Sequence, residues 1–279
     1  IAMLGGSGSG KTTLMESMLF ESGVIKRRGS IETQSTVCDY FPVEKEYGYS
    51  VFSTVCNVEF MGKKLNIIDC AGSDDFCGGT VAALQMVGSA LVVLSANEGV
   101  TVGTQNNFRL VENAHKPLAF VVNKCDHEYA DFEKVLHELR ETFGNRCTVM
   151  QYPVNAGTGF NAVIDVLKGK MLVWGPDGGA PEEKEIPAEE QAKVEEMRQA
   201  LQEQAAEADE TLLDKFLEEG LNDEEIMQGL KSVYAQGSMY PVICCSAAKD
   251  MGIRRLMDFL NVMAPAPRQF EYKTVDGKS

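Results

Sequence analysis

The most informative part of this sequence is Gly5-Gly6-Ser7-Gly8-Ser9-Gly10-Lys11-Thr12. It fits the pattern GxxxxGK[ST], follows the apolar run Ile1–Leu4 and opens a helical pattern at Lys11. In that setting a glycine-rich loop lets backbone N–H groups wrap phosphates, and the helix N-terminus adds its dipole. We therefore predict a phosphate-binding loop, in which Lys11 reaches the β- and γ-phosphates of a nucleotide and Thr12 gives its hydroxyl to Mg²⁺. The predicted phosphate contacts are Gly5, Gly8, Ser9, Gly10, Lys11, Thr12 and Thr13.

Composition excludes several classes of protein. Apolar residues make up 44% of the 279 residues, yet no apolar run approaches the roughly 20 residues that span a bilayer, so we expect no membrane partner. The net charge of −15 argues against specific DNA binding, which needs basic surface. The eight cysteines form no CxxC pair, so we expect reduced thiols in a cytoplasmic protein and not a disulfide or metal framework.

Outside this loop, short apolar runs alternate with helical periods, which predicts an α/β fold with a mostly parallel sheet. The predicted strands are Ile1–Leu4, Val51–Phe60, Leu65–Asp69, Ala90–Ser95, Leu118–Asn123 and Pro241–Ser246, the second and third joined as a hairpin around Gly62. The predicted helices of this part are Lys11–Glu21, Thr80–Val87, Thr104–Ala114, Ala130–Phe143 and Ile253–Met263.

A region with a different sequence pattern interrupts this alternation of strands and helices. A glycine-rich stretch, Trp174–Ala180, leads into three acidic helical patterns, at Ala188–Ala206, Asp209–Glu218 and Asp223–Gln236. Because the α/β pattern resumes afterwards, we predict a core of residues 1–150 and 240–267, an α-rich inserted subdomain of residues 151–239, and a linker of residues 268–279.

Two motifs predict recognition of a base. Asn123-Lys124-Cys125-Asp126 closes a strand and fits NKxD, in which the Asp126 carboxylate accepts from both N1–H and N2–H of guanine and the Lys124 stem lies on the base. Adenine lacks that pair of donors. Ser246-Ala247-Ala248 follows the last strand, and this loop offers a backbone N–H to guanine O6.

Two further elements predict the rest of a Mg²⁺ site. Asp69-Cys70-Ala71-Gly72 ends a strand and fits DxxG, so Asp69 holds Mg²⁺ through water and the Gly72 N–H senses the γ-phosphate. Ser50 lies between this motif and the phosphate loop, where it supplies a second hydroxyl ligand. The predicted metal residues are thus Thr12, Ser50 and Asp69.

These elements, in this order, resemble a Ras-like P-loop GTPase, which implies GTP or GDP and Mg²⁺ as cofactors. The run Asp69–Phe76 is similar to the DTPGHxDF run of translational GTPases. Asp126 and Ser246 are much further apart than in minimal GTPases, and the residues between them resemble the subdomain inserted in elongation factor G. The resemblance implies a ribosomal translocation factor with domains beyond this chain, which binds the ribosome and, through its inserted helices, a ribosomal stalk protein.

The chain departs from the elongation factor G pattern at four places. Ser73 stands where the family has its catalytic histidine, and Gly8 stands where it has an aspartate. The family's Arg-Gly-Ile-Thr is Tyr47–Ser50, and apolar gate positions are Ser7 and Tyr49. These changes fall on the hydrolytic machinery, so we expect guanine-nucleotide binding with slow or absent hydrolysis.

Two other functions remain open. One stays within the family, as a ribosomal protection factor against tetracycline or a release-factor-type GTPase. The other is a GTP-binding regulatory module with no turnover, which the serine at position 73 favours.

Overall fold

Strands and helices alternate along most of the chain, and the computed structural model describes residues 1–175 and 179–267. The strands of the larger sheet are β1 (Ala2–Leu4), β2 (Thr54–Phe60), β3 (Lys63–Asp69), β4 (Ala90–Ser95), β5 (Leu118–Asn123), β6 (Cys147–Val149) and β11 (Tyr240–Cys244). Their order across the sheet is β2-β3-β1-β4-β5-β11-β6. Every neighbouring pair is parallel except β2 and β3. The predicted mostly parallel α/β fold is confirmed.

The central strands β4 and β5 are buried along their whole length. Their sequences, ALVVLS and LAFVVN, are nearly continuous apolar runs. Such runs are typical of parallel strands covered by helices on both faces, and they form the centre of the core.

The helices are α1 (Lys11–Glu21), α2 (Pro42–Tyr47), α3 (Cys77–Met86), α4 (Val102–Asn113), α5 (Phe132–Phe143), α6 (Ala188–Ala206), α7 (Glu210–Glu218), α8 (Asp223–Ala235) and α9 (Ile253–Met263). α1 packs against α9, α6 packs against α7 and α8, and α8 also contacts α9. Four predicted helix starts shift by one to three residues: Thr80 to Cys77 at α3, Thr104 to Val102 at α4, Ala130 to Phe132 at α5 and Asp209 to Glu210 at α7. At α5 and α7 the reason is that Asp131 and Asp209 cap the helix from outside it. The capping box of Asn222 and Glu225 is present at α8.

The hairpin predicted around Gly62 is confirmed. β2 and β3 pair antiparallel from Thr54–Asp69 to Phe60–Lys63, which leaves Met61 and Gly62 as a two-residue turn. Both turn residues have positive φ, of 48° and 75°. This is the type I′ geometry that matches the twist of two antiparallel strands.

A second sheet was not predicted from the sequence. Its strands are β7 (Gln151–Pro153), β8 (Ala162–Asp165), β9 (Lys170–Val173) and β10 (Glu182–Lys184), paired antiparallel in the order β10-β9-β8-β7. These strands have three or four residues each, too few to show an alternating pattern. The region predicted as α-rich therefore combines this sheet with α6, α7 and α8.

Smaller differences concern the ends of strands, and β11 spans Tyr240–Cys244 where Pro241–Ser246 was predicted. The strand predicted from Val51 begins at Thr54, because Val51 and Phe52 donate their N–H groups to the Glu44 carboxylate at α2. The predicted linker of residues 268–279 and part of the glycine-rich stretch, residues 176–178, lie outside the described residues. Within the described part of the chain, no helix is long and apolar enough to cross a membrane.

Candidate functional site

The sequence motifs meet at the carboxyl ends of the parallel strands. The phosphate loop follows β1, Asp69 ends β3, Asn123 ends β5 and Ser246 follows β11. In an open α/β sheet this edge is where ligands bind, because the loops that leave neighbouring strands form a crevice there.

Glycine is required at two positions of the phosphate loop. Gly5 has φ 146°, and a Cβ there would lie 2.2 Å from the carbonyl oxygen of Val93. Gly10 has φ 89°, and a Cβ there would lie 2.5 Å from Asn123 Nδ2. Both close approaches place the loop backbone directly against β4 and β5, so side chains are excluded.

The loop holds Lys11 inward. Lys11 Nζ donates to the carbonyl oxygens of Gly5 at 3.0 Å and Gly6 at 3.1 Å, and the side chain is buried. Burial lowers the pKa of Lys11, and the negative charge of Asp69 opposes that shift. A Cβ added to Gly72 would lie 2.6 Å from Lys11 Nζ, so the DxxG turn lies against the ammonium group.

The remaining loop residues differ in exposure. Ser9 is buried and its hydroxyl has no hydrogen-bond partner within the described structure, whereas Gly8 faces open space. Thr13 is half-buried in the first turn of α1, where its carbonyl oxygen lies 2.9 Å from Ser17 Oγ.

Four oxygen-bearing side chains meet beside Lys11. Thr12 Oγ1 donates to Asp69 Oδ2 at 3.1 Å and lies 3.2 Å from Ser50 Oγ. Ser50 Oγ in turn donates to Asp39 Oδ1 at 2.6 Å. The structure therefore brings the three predicted metal residues together and adds Asp39, which the sequence did not single out because no motif contains it.

The donors in this cluster suit a hard divalent cation. Asp69 is buried, its Oδ1 has no partner within the described structure, and burial raises its pKa to about 6. Burial likewise raises the pKa of Asp39, against the hydrogen bond from Ser50. Hydroxyl and carboxylate oxygens are the ligand types that Mg²⁺ prefers, and a cation would compensate both buried carboxylates.

At the other end of the crevice, Asn123 links three loops. Its Nδ2 donates to the carbonyl oxygen of Ser9 at 3.1 Å, and its Oδ1 accepts from the Ala247 N–H at 3.0 Å. Asp126 Oδ1 accepts from Ser246 Oγ at 2.7 Å. Lys124 has φ 61° and is half-buried. The NKxD turn and the loop after β11 thus form one bonded unit, with one Asp126 oxygen already engaged by serine.

Ser73 lies at the start of the short 3-10 helix Asp74–Phe76, directly after Gly72. Its Oγ accepts from the Asp75 N–H at 3.4 Å, so the hydroxyl caps this turn. Beside it is a cavity of about 260 Å³ that borders the phosphate loop at Ser7 and also includes Asp74. Asn106 Nδ2 on α4 donates to Asp74 Oδ2 at 2.8 Å and fixes that side of the cavity.

Sequence reasoning missed Glu16, which organises the segment of residues 29–37. This carboxylate is fully buried on α1; Oε2 accepts from the Gly29 N–H at 3.0 Å and Oε1 accepts from the Val37 N–H. A glutamate among the apolar residues of a buried helix face was the available signal. It gave no indication of the partners, because they lie in an irregular segment.

Comparison with known proteins gives three findings. Residues 1–266 match the family described as the elongation factor Tu GTP binding domain. A Thermotoga maritima protein named elongation factor G-like protein is 32% identical over 269 residues, covering 96% of this chain and 38% of that protein. A crystal structure of a Thermus thermophilus protein superposes with a TM-score of 0.90 at 33% identity, covering 95% of this chain and 40% of the other. The chain thus spans about two fifths of the length of these two relatives.

Proposed function

Because the chain belongs to the elongation factor Tu GTP-binding domain family, we propose that its crevice binds GTP or GDP together with Mg²⁺. The observation that supports this proposal best is the cluster of Thr12, Ser50 and Asp69 beside Lys11, because hydroxyl and carboxylate oxygens suit a divalent cation and a lysine ammonium suits phosphates. Thr12 and Ser50 would hold Mg²⁺ by their hydroxyls and Asp69 through water. The cation would neutralise charge on the β- and γ-phosphates.

The base lies, in this proposal, between the NKxD turn and the loop after β11. Asp126 has a second carboxylate oxygen besides the one that Ser246 engages, and together the two accept from N1–H and N2–H of guanine. The stem of Lys124 covers one face of the ring, and a backbone N–H of the loop 246–248 donates to O6. The same arrangement would present only acceptors and no matching donor to adenine's N1, so adenine is rejected.

We also propose that residues 151–239 are an insertion in a nucleotide-binding core of residues 1–150 and 240–267. The positions of β6 and β11 support it, because these strands are neighbours in the larger sheet while the second sheet and α6–α8 lie between them in the chain. Removal of residues 151–239 and closure with a short linker should then leave a chain that still binds GDP. A chain that no longer folds would contradict the division.

This chain covers about two fifths of the length of its two relatives. We propose that the whole protein acts as a ribosomal translocation factor of the cytoplasm. The name of the Thermotoga maritima relative, elongation factor G-like protein, supports that role. The acidic helices α6, α7 and α8 would dock a ribosomal stalk protein. If so, ribosomes stripped of their stalk proteins should bind the full-length protein more weakly than intact ribosomes.

Hydrolysis is the step that we propose to be weak. Position 73 carries the catalytic histidine in elongation factor G, and here the Ser73 hydroxyl caps the turn that starts at Asp74. A serine has no imidazole to position or deprotonate water, and such groups typically contribute about 10²–10⁴-fold to a rate. Ser73 also favours the second candidate function, a GTP-binding regulatory module without turnover.

Single-turnover phosphate release by the full-length protein, with and without ribosomes and beside an elongation factor G control, tests both points. We expect GTP to bind and phosphate release to stay far below the control. Ser73→His should raise the rate only if Gly8, Ser7 and Tyr47–Ser50 are compatible with catalysis. Wild-type release at the rate of the control would overturn the proposal of weak hydrolysis while leaving nucleotide binding intact.

A further inference from the structure

Arg28, in the segment after α1, directs its side chain to the loop that follows β11. Its Nη2 donates to the carbonyl oxygen of Ala247 at 2.8 Å. Its Nη1 donates to the carbonyl oxygen of Ala248 at 3.1 Å and to Asp250 Oδ2 at 2.7 Å. The Arg28 side chain is 21% exposed and that of Asp250 19%, so the pair is largely shielded from water. A planar guanidinium bonded to two carbonyls and a carboxylate holds all three in one arrangement.

The loop needs such support because one of its residues has an unfavourable backbone conformation. Asp250 has φ 57°, a left-handed conformation that costs energy outside glycine. The residue pair Ser246 and Met251 closes the loop by an antiparallel bridge. In the same loop, the Ala247 N–H donates to Asn123 and the Ser246 hydroxyl donates to Asp126. The loop is therefore hydrogen-bonded both to Asn123 and Asp126, which we propose recognise the base, and to Arg28.

Because a peptide unit is planar, the bonds to the Ala247 carbonyl also fix the direction of one N–H group. The carbonyl of Ala247 and the N–H of Ala248 belong to the same rigid peptide unit and point in opposite directions. Arg28 Nη2 and Ser17 Oγ, the latter at 2.6 Å, both donate to that carbonyl and so fix the unit. The neighbouring Ala247 and Lys249 N–H groups already donate to Asn123 and Ser246, which leaves the Ala248 N–H for a ligand.

We propose that Arg28 is a positioning residue for guanine recognition, which holds the Ala248 N–H toward O6 of the base without touching the nucleotide. The inference rests on the proposed guanine-nucleotide site. Arg28 belongs to none of the nucleotide-binding motifs, and it lies in the same segment whose backbone Glu16 holds at Gly29. Loss of Arg28 should therefore weaken the hydrogen bond to O6 and leave the contacts to the phosphates and to N2–H unchanged.

The test is a double-substitution cycle, in which replacement of the Arg28 side chain is combined with replacement of the O6 atom of the base. Dissociation constants for GDP and 6-thio-GDP are measured for the wild type, Arg28→Ala, Arg28→Lys and the control Arg27→Ala. Arg27 is the matched control because it carries the same charge next in sequence and is exposed. In 6-thio-GDP the oxygen is replaced by sulfur, a weaker acceptor, while N1–H and N2–H are kept. ADP binding by the wild type is measured alongside, and thermal unfolding checks that each variant is folded.

We expect Arg28→Ala to weaken GDP about tenfold, equal to about 1.4 kcal/mol, and 6-thio-GDP less than about threefold. Arg28→Lys, which keeps the charge but not the planar fork, should lie between, and Arg27→Ala should match the wild type. If Arg28→Ala does not fold, Arg28→Lys must still show the larger loss for GDP. Equal losses for both nucleotides, or none, would overturn the role of Arg28 alone. A wild type that binds ADP as well as GDP would overturn the proposed site itself.

Discussion

Replacement of Glu16 by glutamine is a direct test of how the segment of residues 29–37 is held. Glu16 is fully buried, and its two oxygens accept from the Gly29 and Val37 N–H groups. Glutamine has the same shape but only one acceptor oxygen, and its NH₂ group would face the second backbone N–H. The change therefore removes one bond, leaves a buried donor without a partner and converts the other bond from charge-assisted to neutral.

The size of the effect follows from those losses. A buried donor without a partner costs about 1–3 kcal/mol, and the change from a charged to a neutral acceptor costs about 1 kcal/mol. We therefore expect Glu16→Gln to lower the free energy of unfolding by about 2–4 kcal/mol. The segment continues to Asp39, which accepts from Ser50 in the proposed metal site, so we also expect weaker Mg²⁺-dependent nucleotide binding.

Urea-induced unfolding followed by circular dichroism measures this change, with Glu46→Gln as the control because Glu46 is an exposed glutamate on α2. Amide hydrogen exchange at Gly29 and Val37 reports on the bonds themselves and should accelerate only in Glu16→Gln. A Glu16→Gln protein as stable as the Glu46→Gln control, with unchanged exchange at both amides, would show that Glu16 does not hold this segment.

Two further predictions concern the base and the cation. Asp126→Asn replaces a carboxylate acceptor by an amide donor, so the affinity for GDP should fall at least about a hundredfold in competition titrations. Xanthosine diphosphate, which has a carbonyl at C2, should gain affinity. Unchanged GDP affinity would exclude Asp126 from base recognition. Burial raises the pKa of Asp69 to about 6, above its unfolded value, so the folded protein holds this proton more tightly and stability without Mg²⁺ should fall as pH rises from about 4 to about 6. Asp69→Asn should flatten that part of the pH profile of unfolding, and an unaltered profile would assign the pH dependence to another group.

The local motifs made most of the fold and much of the candidate site predictable. GxxxxGK[ST], DxxG and NKxD each place a few residues at the end of an apolar strand, so chain order alone brings them to one edge of a parallel sheet. The strands Ala90–Ser95 and Leu118–Asn123 were predicted with their observed bounds because they are buried on both faces and read as continuous apolar runs.

What the sequence did not reveal depends on contacts between distant residues. β7 to β10 are too short to carry a periodic pattern, and β10 is exposed along its length. Glu16, Arg28 and Asp39 lie in no motif, and their partners are backbone groups or side chains of irregular segments. Their placement follows from tertiary packing, which no local pattern encodes.

An equilibrium competition titration tests whether this crevice selects guanine over adenine. The protein is saturated with a fluorescent GDP derivative in the presence of Mg²⁺ and titrated with GDP, GTP and ADP. We predict displacement by GDP and GTP, and at least about a thousandfold weaker displacement by ADP, because Asp126 and the loop 246–248 pair with groups that adenine lacks. Displacement by ADP at concentrations similar to those of GDP would contradict this selectivity.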